Sequence, residues 1–380
     1  MSEGDPPIVA RVAPGVAAFD AAAWDACADP YDPFLAHAFL AALEGSESVG
    51  PATGWQPVPI GIEDERSVLG ACMPAYLKSH SRGEYVFDHG WAEAFERAGG
   101  AYYPKLQIAV PFTPVPGRRL LARDMALAPR LIDAAEALVA REGLSSAHAT
   151  FVAPEEVRLF ERAGWLIRAD LQFHWFNQGY ADFDAFLATL ASRKRKAIRK
   201  ERAGAQAGLD IVHMSGGDIS ARDWDDFFAF YMDTGARKWG SPYLSRAFFS
   251  LVGESMKERL LLIVARRGGR TIAGALNFIG GDALYGRYWG AIEPVPGLHF
   301  ELCYYQAIEA AIARGLSRVE AGAQGPHKLA RGYQPVPTFS AHFIADPGFR
   351  KAVAQFLARE RPAVAHEIGA LEEMGPYKKG

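Results

Sequence analysis

The sequence has little cysteine, no long apolar run and almost no net charge, and each shortage excludes a class of protein. Cys27, Cys72 and Cys303 are odd in number and stand in no CxxC spacing, so neither a disulfide framework nor a metal site is expected. Such usage fits a reducing cytoplasm, which is the expected location. The longest strongly apolar run, Leu260 to Ala265, is far too short to span a bilayer. The first residues, MSEGDPPIVARVAPG, lack the apolar segment of a signal peptide, and no membrane span or anchor is expected. Forty-one basic residues against 44 acidic ones give a net charge of -3 and a pI of about 6.4. A wholesale nucleic-acid binder is thereby excluded, and any site for a polyanion must be local.

What is present is an ordinary globular composition, 49% hydrophobic and 22% charged, in a chain of 380 residues. That length accommodates two domains, each able to bury its own core. The chain also repeats itself. PFLAHAFLAAL from Pro33 matches PYLSRAFFSLV from Pro242, ERSVLGA ending at Ala71 matches GRTIAGA ending at Ala275, and ALVAREGLSSAH (137–148) matches AAIARGLSRVE (310–320). Three matches in one order point to a duplicated α/β unit of the α+β type, with strands and helices alternating in both halves. The expected domains are 1–178 and 179–380. They differ at one place, where His148 occupies the position of Glu320.

The residues that carry chemistry crowd into 284–343. Ala283 to Ala291 has the Tyr/Trp content of a strand, Pro294, Pro296 and Gly297 end it, and a helix is expected over 299–314. A short strand at 317–321 leads to a Gly/Pro-rich loop bearing Gln324, His327, Lys328 and Arg331, followed by a strand at 337–344. In α/β architectures ligands bind beyond the carboxyl ends of strands, which is where this loop falls. Acyl transfer to an amine needs a proton acceptor, a polarised carbonyl and a group facing the developing oxyanion. Glu320 or His327 can accept the proton, Lys328 and Arg331 can offset negative charge, and Gln324 can donate a hydrogen bond. Arg287, Tyr288, Trp289, His299 and Tyr304 supply walls and a further charge for substrate. Cys303 stands four residues from His299 on one helix face, as a nucleophilic pair would, although a small buried thiol is the commoner use.

Seven of the ten residues from Arg193 to Arg202 are basic. Such a run is either a solvated helix face or a contact for phosphate, with Lys194, Arg195 and Lys196 as the candidate contacts.

Together SRKRKAIRKERAGA, YLSRAFF, ALYGRYWGA, LHFELCYYQAIE, EAGAQGPHKLARGY and FRKAVAQFLARER resemble the FemAB-like proteins, a peptidoglycan-related family. The resemblance covers nearly the whole chain and implies two tandem GNAT-type acyltransferase domains. It also implies transfer of an activated acyl or aminoacyl group, with aminoacyl-tRNA a possible donor, to an amine acceptor. Two alternatives stand beside this. One is an acyl-coenzyme A-dependent N-acetyltransferase, and the other a non-catalytic small-molecule-binding module on the same fold. Coenzyme A users of the GNAT type hold the pyrophosphate on backbone amides of a Q/RxxGxG/A turn. The corresponding AIEPVPGLHF has two prolines there, so coenzyme A is not the expected donor and no cofactor is expected.

Overall fold

The computed structural model describes residues 9–64, 67–238, 242–322 and 325–378. The chain divides into two compact units, residues up to 170 with 337–365, and 171–336 with the residues from 366 onward. Contiguous halves 1–178 and 179–380 differ from this division because each unit takes its last strand partly from the other half of the chain.

In the first unit, β1 (Val9–Val12), β2 (Trp55–Pro57), β3 (Ile60–Glu63), β4 (Leu69–Met73), β5 (Ala75–Lys78) and β6 (Lys105–Ile108) pair antiparallel among themselves. Pro59 and Pro74, which cannot donate to a ladder, break what would otherwise be two long strands into β2/β3 and β4/β5. A two-residue strand, β7 (Leu121–Ala122), lies along β4. Helices α1 (Ala21–Asp25), α2 (His37–Gly45) and α3 (His89–Arg97) fill the connections. Helix α4 (Ala128–Glu142) ends at Gly143 in the left-handed conformation that glycine tolerates, and crosses to β8 (Ser146–Val152), which pairs parallel with β6. After α5 (Val157–Arg162) comes β9 (Leu166–Phe176). The sixth strand position, antiparallel to β8, is filled by residues 339–344. The core gathers Ile60, Leu106, Leu131, Leu138, Ala147, Phe160 and Trp165 between sheet and α4.

The second unit repeats this order. Asp182 caps α6 (Phe183–Thr189) by accepting from Ala185 N, and α7 (Ser192–Gln206) follows. Strands β10 (Asp210–Ser215), β11 (Leu260–Arg267), β12 (Arg270–Ile279) and β13 (Ala283–Ala291) form an antiparallel meander, with α8 (Ala221–Lys238) and α9 (Arg246–Ser255) between β10 and β11. Gly290 is obligatory on β13, since a Cβ there would lie 2.2 Å from the Phe230 backbone of α8. Helix α10 (Leu298–Phe300), a π-helical turn (Glu301–Tyr305) and α11 (Gln306–Ala313) cross to β14 (Arg318–Glu320), parallel to β13. Residues 174–176 of β9 pair with β14 as the sixth strand. Strand β15 (Gln334–Ile344) and α12 (Pro347–Glu373) complete the chain.

The three repeated segments therefore sit on equivalent elements. Helices α2 and α9 each begin four residues after the matched proline, β4 and β12 are each the second strand of an antiparallel pair with the strand just before (β3 and β11), and α4–β8 corresponds to α11–β14. The duplication read from sequence is present in the topology.

Candidate functional site

The site of the second unit is made by two irregularities. Strands β13 and β14 pair only over Ala283–Tyr285 and Arg318–Glu320, after which β14 stops and β13 runs on to Ala291. Along the other edge of β13 the register slips, so that Leu276 faces Tyr288 while Asn277 faces Gly286. Arg287 is the extra residue of that bulge, a device that re-aims a side chain next to sites. On the facing helix, the π turn at Glu301–Tyr305 shifts the residues that follow Phe300.

Between them lies a cavity of about 90 Å³ lined by Asn277, Arg287, Tyr288, Trp289, His299, Cys303, Tyr304 and Ala321, among others. A larger opening of about 270 Å³, bounded by Val295, Leu298 and Phe300, shares Trp289 and His299 with it. Six residues singled out from sequence as site candidates, Cys303 among them, thus meet around one space. Edge-on contacts at 5.3 Å between Trp289 and His299, and at 5.4 Å between His299 and Tyr304, fix the wall.

The polar loop packs against this wall. Tyr304 OH and His327 Nε2 are 2.9 Å apart, and burial raises the phenol so that it stays protonated. Lys328, 1% exposed, donates from Nζ to the Gly322 carbonyl at 2.7 Å. Burial pushes its ammonium down to about 7 from an ordinary 10.5, with Cys303 opposing that shift and Arg287 adding to it. Lys328 therefore feels the charges of two residues that line the cavity. Arg331 is committed elsewhere: its guanidinium lies 3.5 Å from the centre of the Phe300 ring and pairs with Glu201 at 2.8 Å. Glu320 pairs with Arg318 at 2.8 Å and stands 3.7 Å from His174, on the strand opposite. Its Oε2 accepts no hydrogen bond. Gln324 lies outside the described residues.

The basic run divides. Arg202 reaches inward to Glu301 at 2.8 Å and Glu309 at 2.7 Å, lying over the Phe183 ring, and Arg199 meets Asp184 at 2.8 Å. Lys194 and Lys196 are exposed on the first turns of α7, with Arg195 half-buried between them.

Four participants escaped the sequence reading. Asn277, fully buried with Oδ1 unbonded at the cavity, was detectable only as a polar residue in an apolar strand. Glu201 was hidden inside the basic run, and His174 and Gly286 inside strands. The first unit, where His148 replaces Glu320, holds a buried network instead. Lys105 donates to Ser81 and Glu84, Tyr102 donates to Asp88, and His148 Nδ1 meets His342 Nδ1 at 2.7 Å. Burial drops His148 to about 3 and drives His342 well below its ordinary value, so both imidazoles are neutral. Among the described residues no group of His, Cys, Asp and Glu could hold a metal ion, and no helix is long and apolar enough to cross a membrane.

A family model described as peptidoglycan biosynthesis/recognition, FemAB-like, matches residues 15–379. The chain belongs to the FemAB-like family. Its fold, two α/β units in tandem, recurs in solved structures at low sequence identity. L-PGS from Bacillus licheniformis has a TM-score of 0.51 at 10% identity, covering 87% of this chain and 98% of that one. FemX has 0.51 at 10% identity, covering 82% and 93%. The C-terminal domain of a putative lysylphosphatidylglycerol synthetase from Agrobacterium fabrum has 0.50 at 10%, covering 85% and 91%. No curated protein matches the sequence significantly. The resemblance seen in LHFELCYYQ and AGAQGPHKLARGY is thus a family relationship.

Proposed function

We propose that this FemAB-like chain is an aminoacyltransferase whose second unit moves an aminoacyl group from aminoacyl-tRNA to an amine of a peptidoglycan-precursor acceptor. The observation that carries the reading is Lys328, a buried amine poised at about 7 beside a cavity walled by Trp289, His299, Cys303 and Tyr304. A proton carrier works best when its pKa lies near the working pH, and burial has moved this lysine there. The acceptor amine attacks the ester carbonyl carbon, Lys328 takes the amine's proton, and the ester C–O bond breaks. The proton then passes to the departing ribose oxygen. Arg287, aimed by its bulge, faces the oxyanion; the aromatic wall holds the aminoacyl moiety; and His327 fixes Tyr304. Glu320, tied to Arg318, orients the strand end rather than taking the proton.

A donor other than acyl-coenzyme A is supported by the turn ahead of α10. Pro294 and Pro296 have no N–H, and the Leu298 N–H is spent on the Val295 carbonyl at 3.2 Å. A pyrophosphate is held by several converging amides, and this turn withholds three of them. The donor's phosphates then need another handle, which the exposed Lys194 and Lys196 provide with the half-buried Arg195 between them.

Mass spectrometry of products tests this: purified protein is incubated with aminoacyl-tRNA pools or acyl-coenzyme A mixtures and with amine acceptors. An aminoacyl adduct on the acceptor is expected only with aminoacyl-tRNA. Turnover with acyl-coenzyme A alone would overturn the donor, and donor binding without turnover would make the cleft a binding module.

A further inference from the structure

One buried amide in the second unit is tied down at one end and open at the other. Asn277 sits on β12, 0% exposed, in register with Leu261 of β11 on one side and Gly286 of β13 on the other. Its Nδ2 donates to the Leu261 carbonyl and to the Ala275 carbonyl, each at 3.2 Å. An atom so close to two carbonyl oxygens has to be the nitrogen, so the amide cannot be turned round and the other end is the oxygen. No group among the described residues donates to that Oδ1, and Asn277 lines the cavity of about 90 Å³. A buried amide oxygen left unbonded is costly, which calls for a use. Gly286 keeps it uncovered, since a Cβ there would stand 3.4 Å from Oδ1. The Gly286 backbone is outside the left-handed region that favours glycine, so clearance rather than conformation accounts for the residue. Resting on the aminoacyl-transfer reading above, we propose that Asn277 Oδ1 is the contact that receives an N–H of the acceptor's primary amine and aims its lone pair at the ester carbonyl.

The charges at the cavity select the neutral form of that amine. Arg287 lines the same space, and a second cation beside a guanidinium is repelled. An amide oxygen accepts a hydrogen bond without carrying charge. A carboxylate in its place would hold the amine as an ammonium, whose lone pair is occupied. The seat therefore suits the nucleophile rather than the α-ammonium of the aminoacyl group. Of the amine's two hydrogens, one stays on Oδ1 while the other leaves with the proton carrier.

Hydroxylamine is the probe, a small primary amine that is uncharged at neutral pH. Its nitrogen attacks the ester carbonyl carbon of aminoacyl-tRNA, the ester C–O bond breaks and the proton ends on the ribose oxygen. The products are an aminoacyl hydroxamate and free tRNA. The parent is compared with Asn277→Ala and Gly286→Ala. The second variant leaves both Nδ2 bonds in place and covers Oδ1 with a methyl group, so it tests the contact even where Asn277→Ala does not fold. In both, the KM for hydroxylamine should rise about tenfold, the loss of one hydrogen bond, while the KM for aminoacyl-tRNA stays within about twofold. An unchanged KM for hydroxylamine would leave Oδ1 a structural oxygen and overturn the inference. An equal rise for both substrates would overturn it too, as a defect of the fold. If the parent forms no hydroxamate above the uncatalysed rate, the transfer reading fails and binding decides the inference instead. Hydroxylamine should then raise the thermal unfolding midpoint of the parent and of neither variant. Equal shifts in all three, or none, would overturn it.

Discussion

Replacing Lys328 with methionine removes the amine, keeps the volume, and should make the protein more stable at low pH while abolishing transfer. The magnitude follows from the lysine's two environments. Its amine titrates at the ordinary 10.5 when unfolded and at about 7 when folded. Because the folded value is the lower one, the penalty for burying the charge is full below pH 7. It shrinks as pH rises and is gone above 10.5. At about 1.4 kcal/mol per pH unit, the penalty is about 5 kcal/mol at pH 6 and about 2 kcal/mol at pH 9. The lost hydrogen bond to Gly322 and the repacking by methionine contribute equally at both pH values. The stability difference between Lys328→Met and the parent should therefore fall by about 3 kcal/mol between pH 6 and pH 9. Guanidinium unfolding of both proteins at the two pH values measures it. A difference that changes by less than about 1 kcal/mol would mean that Lys328 keeps ordinary basicity, and the proton-carrier role would go with it.

Arg202→Ala should cost about 3 kcal/mol in the same assay, because it strands Glu301, which is 0% exposed, without its guanidinium. The Arg202→Met/Glu301→Gln pair should recover most of that loss, and a cost below about 1 kcal/mol for Arg202→Ala would refute the structural role. Changing Lys194, Arg195 and Lys196 together to alanine should leave stability within about 1 kcal/mol, since Lys194 and Lys196 face solvent and the half-buried Arg195 makes one long bond, to the Leu190 carbonyl at 3.4 Å. In tRNA binding the parent should show a slope of about -2 to -4 in log affinity against log salt, and the triple variant a flatter one. An unchanged slope would reduce the run to a solvated face. Gly290→Ala should destabilise by about 3 kcal/mol or fail to fold, as its Cβ has no room against Phe230; a well-folded variant of parental stability would contradict that packing.

The sequence announced the elements well wherever one periodicity ran unbroken. Apolar residues at helical spacing predict helices over 220–238 and 245–257, which are found as Ala221–Lys238 and Arg246–Ser255, and the aromatic run over 165–176 predicts a strand, found as Leu166–Phe176. Failures have local causes. The apolar and aromatic run over 102–113 predicts one strand, but only Lys105–Ile108 forms it, because its flanks carry the buried Tyr102 and the prolines of PFTPVPG. The pattern from 183 into the basic run predicts one helix, but the chain makes two, parted at Leu190 and Ala191, where backbone bonds to Tyr377 and Pro376 take over. The interleaved ends of the units were invisible, since a single strand carries no mark of which sheet each of its residues will join. In the site, Arg287, Trp289, His299, Cys303 and Tyr304 stood out by residue type. Asn277 and Glu201 did not, because their importance lies in partners from distant segments. The same holds for Arg202, whose charge looked like its neighbours' until Glu301 and Glu309 were placed beside it.

The central claim is that a near-neutral Lys328 transfers the proton during aminoacyl transfer. The most direct measurement is a single-turnover reaction with radiolabelled aminoacyl-tRNA and an amine acceptor, followed from pH 5.5 to 9 for the parent and Lys328→Met. The account predicts that label reaches the acceptor with a rate that rises through pH 7 in the parent, and that Lys328→Met binds the donor but transfers at least a hundredfold more slowly, as expected for a lost acid–base group (about 10²-fold or more). Equal rates in the two proteins, or a parent profile flat across pH 7, would contradict it.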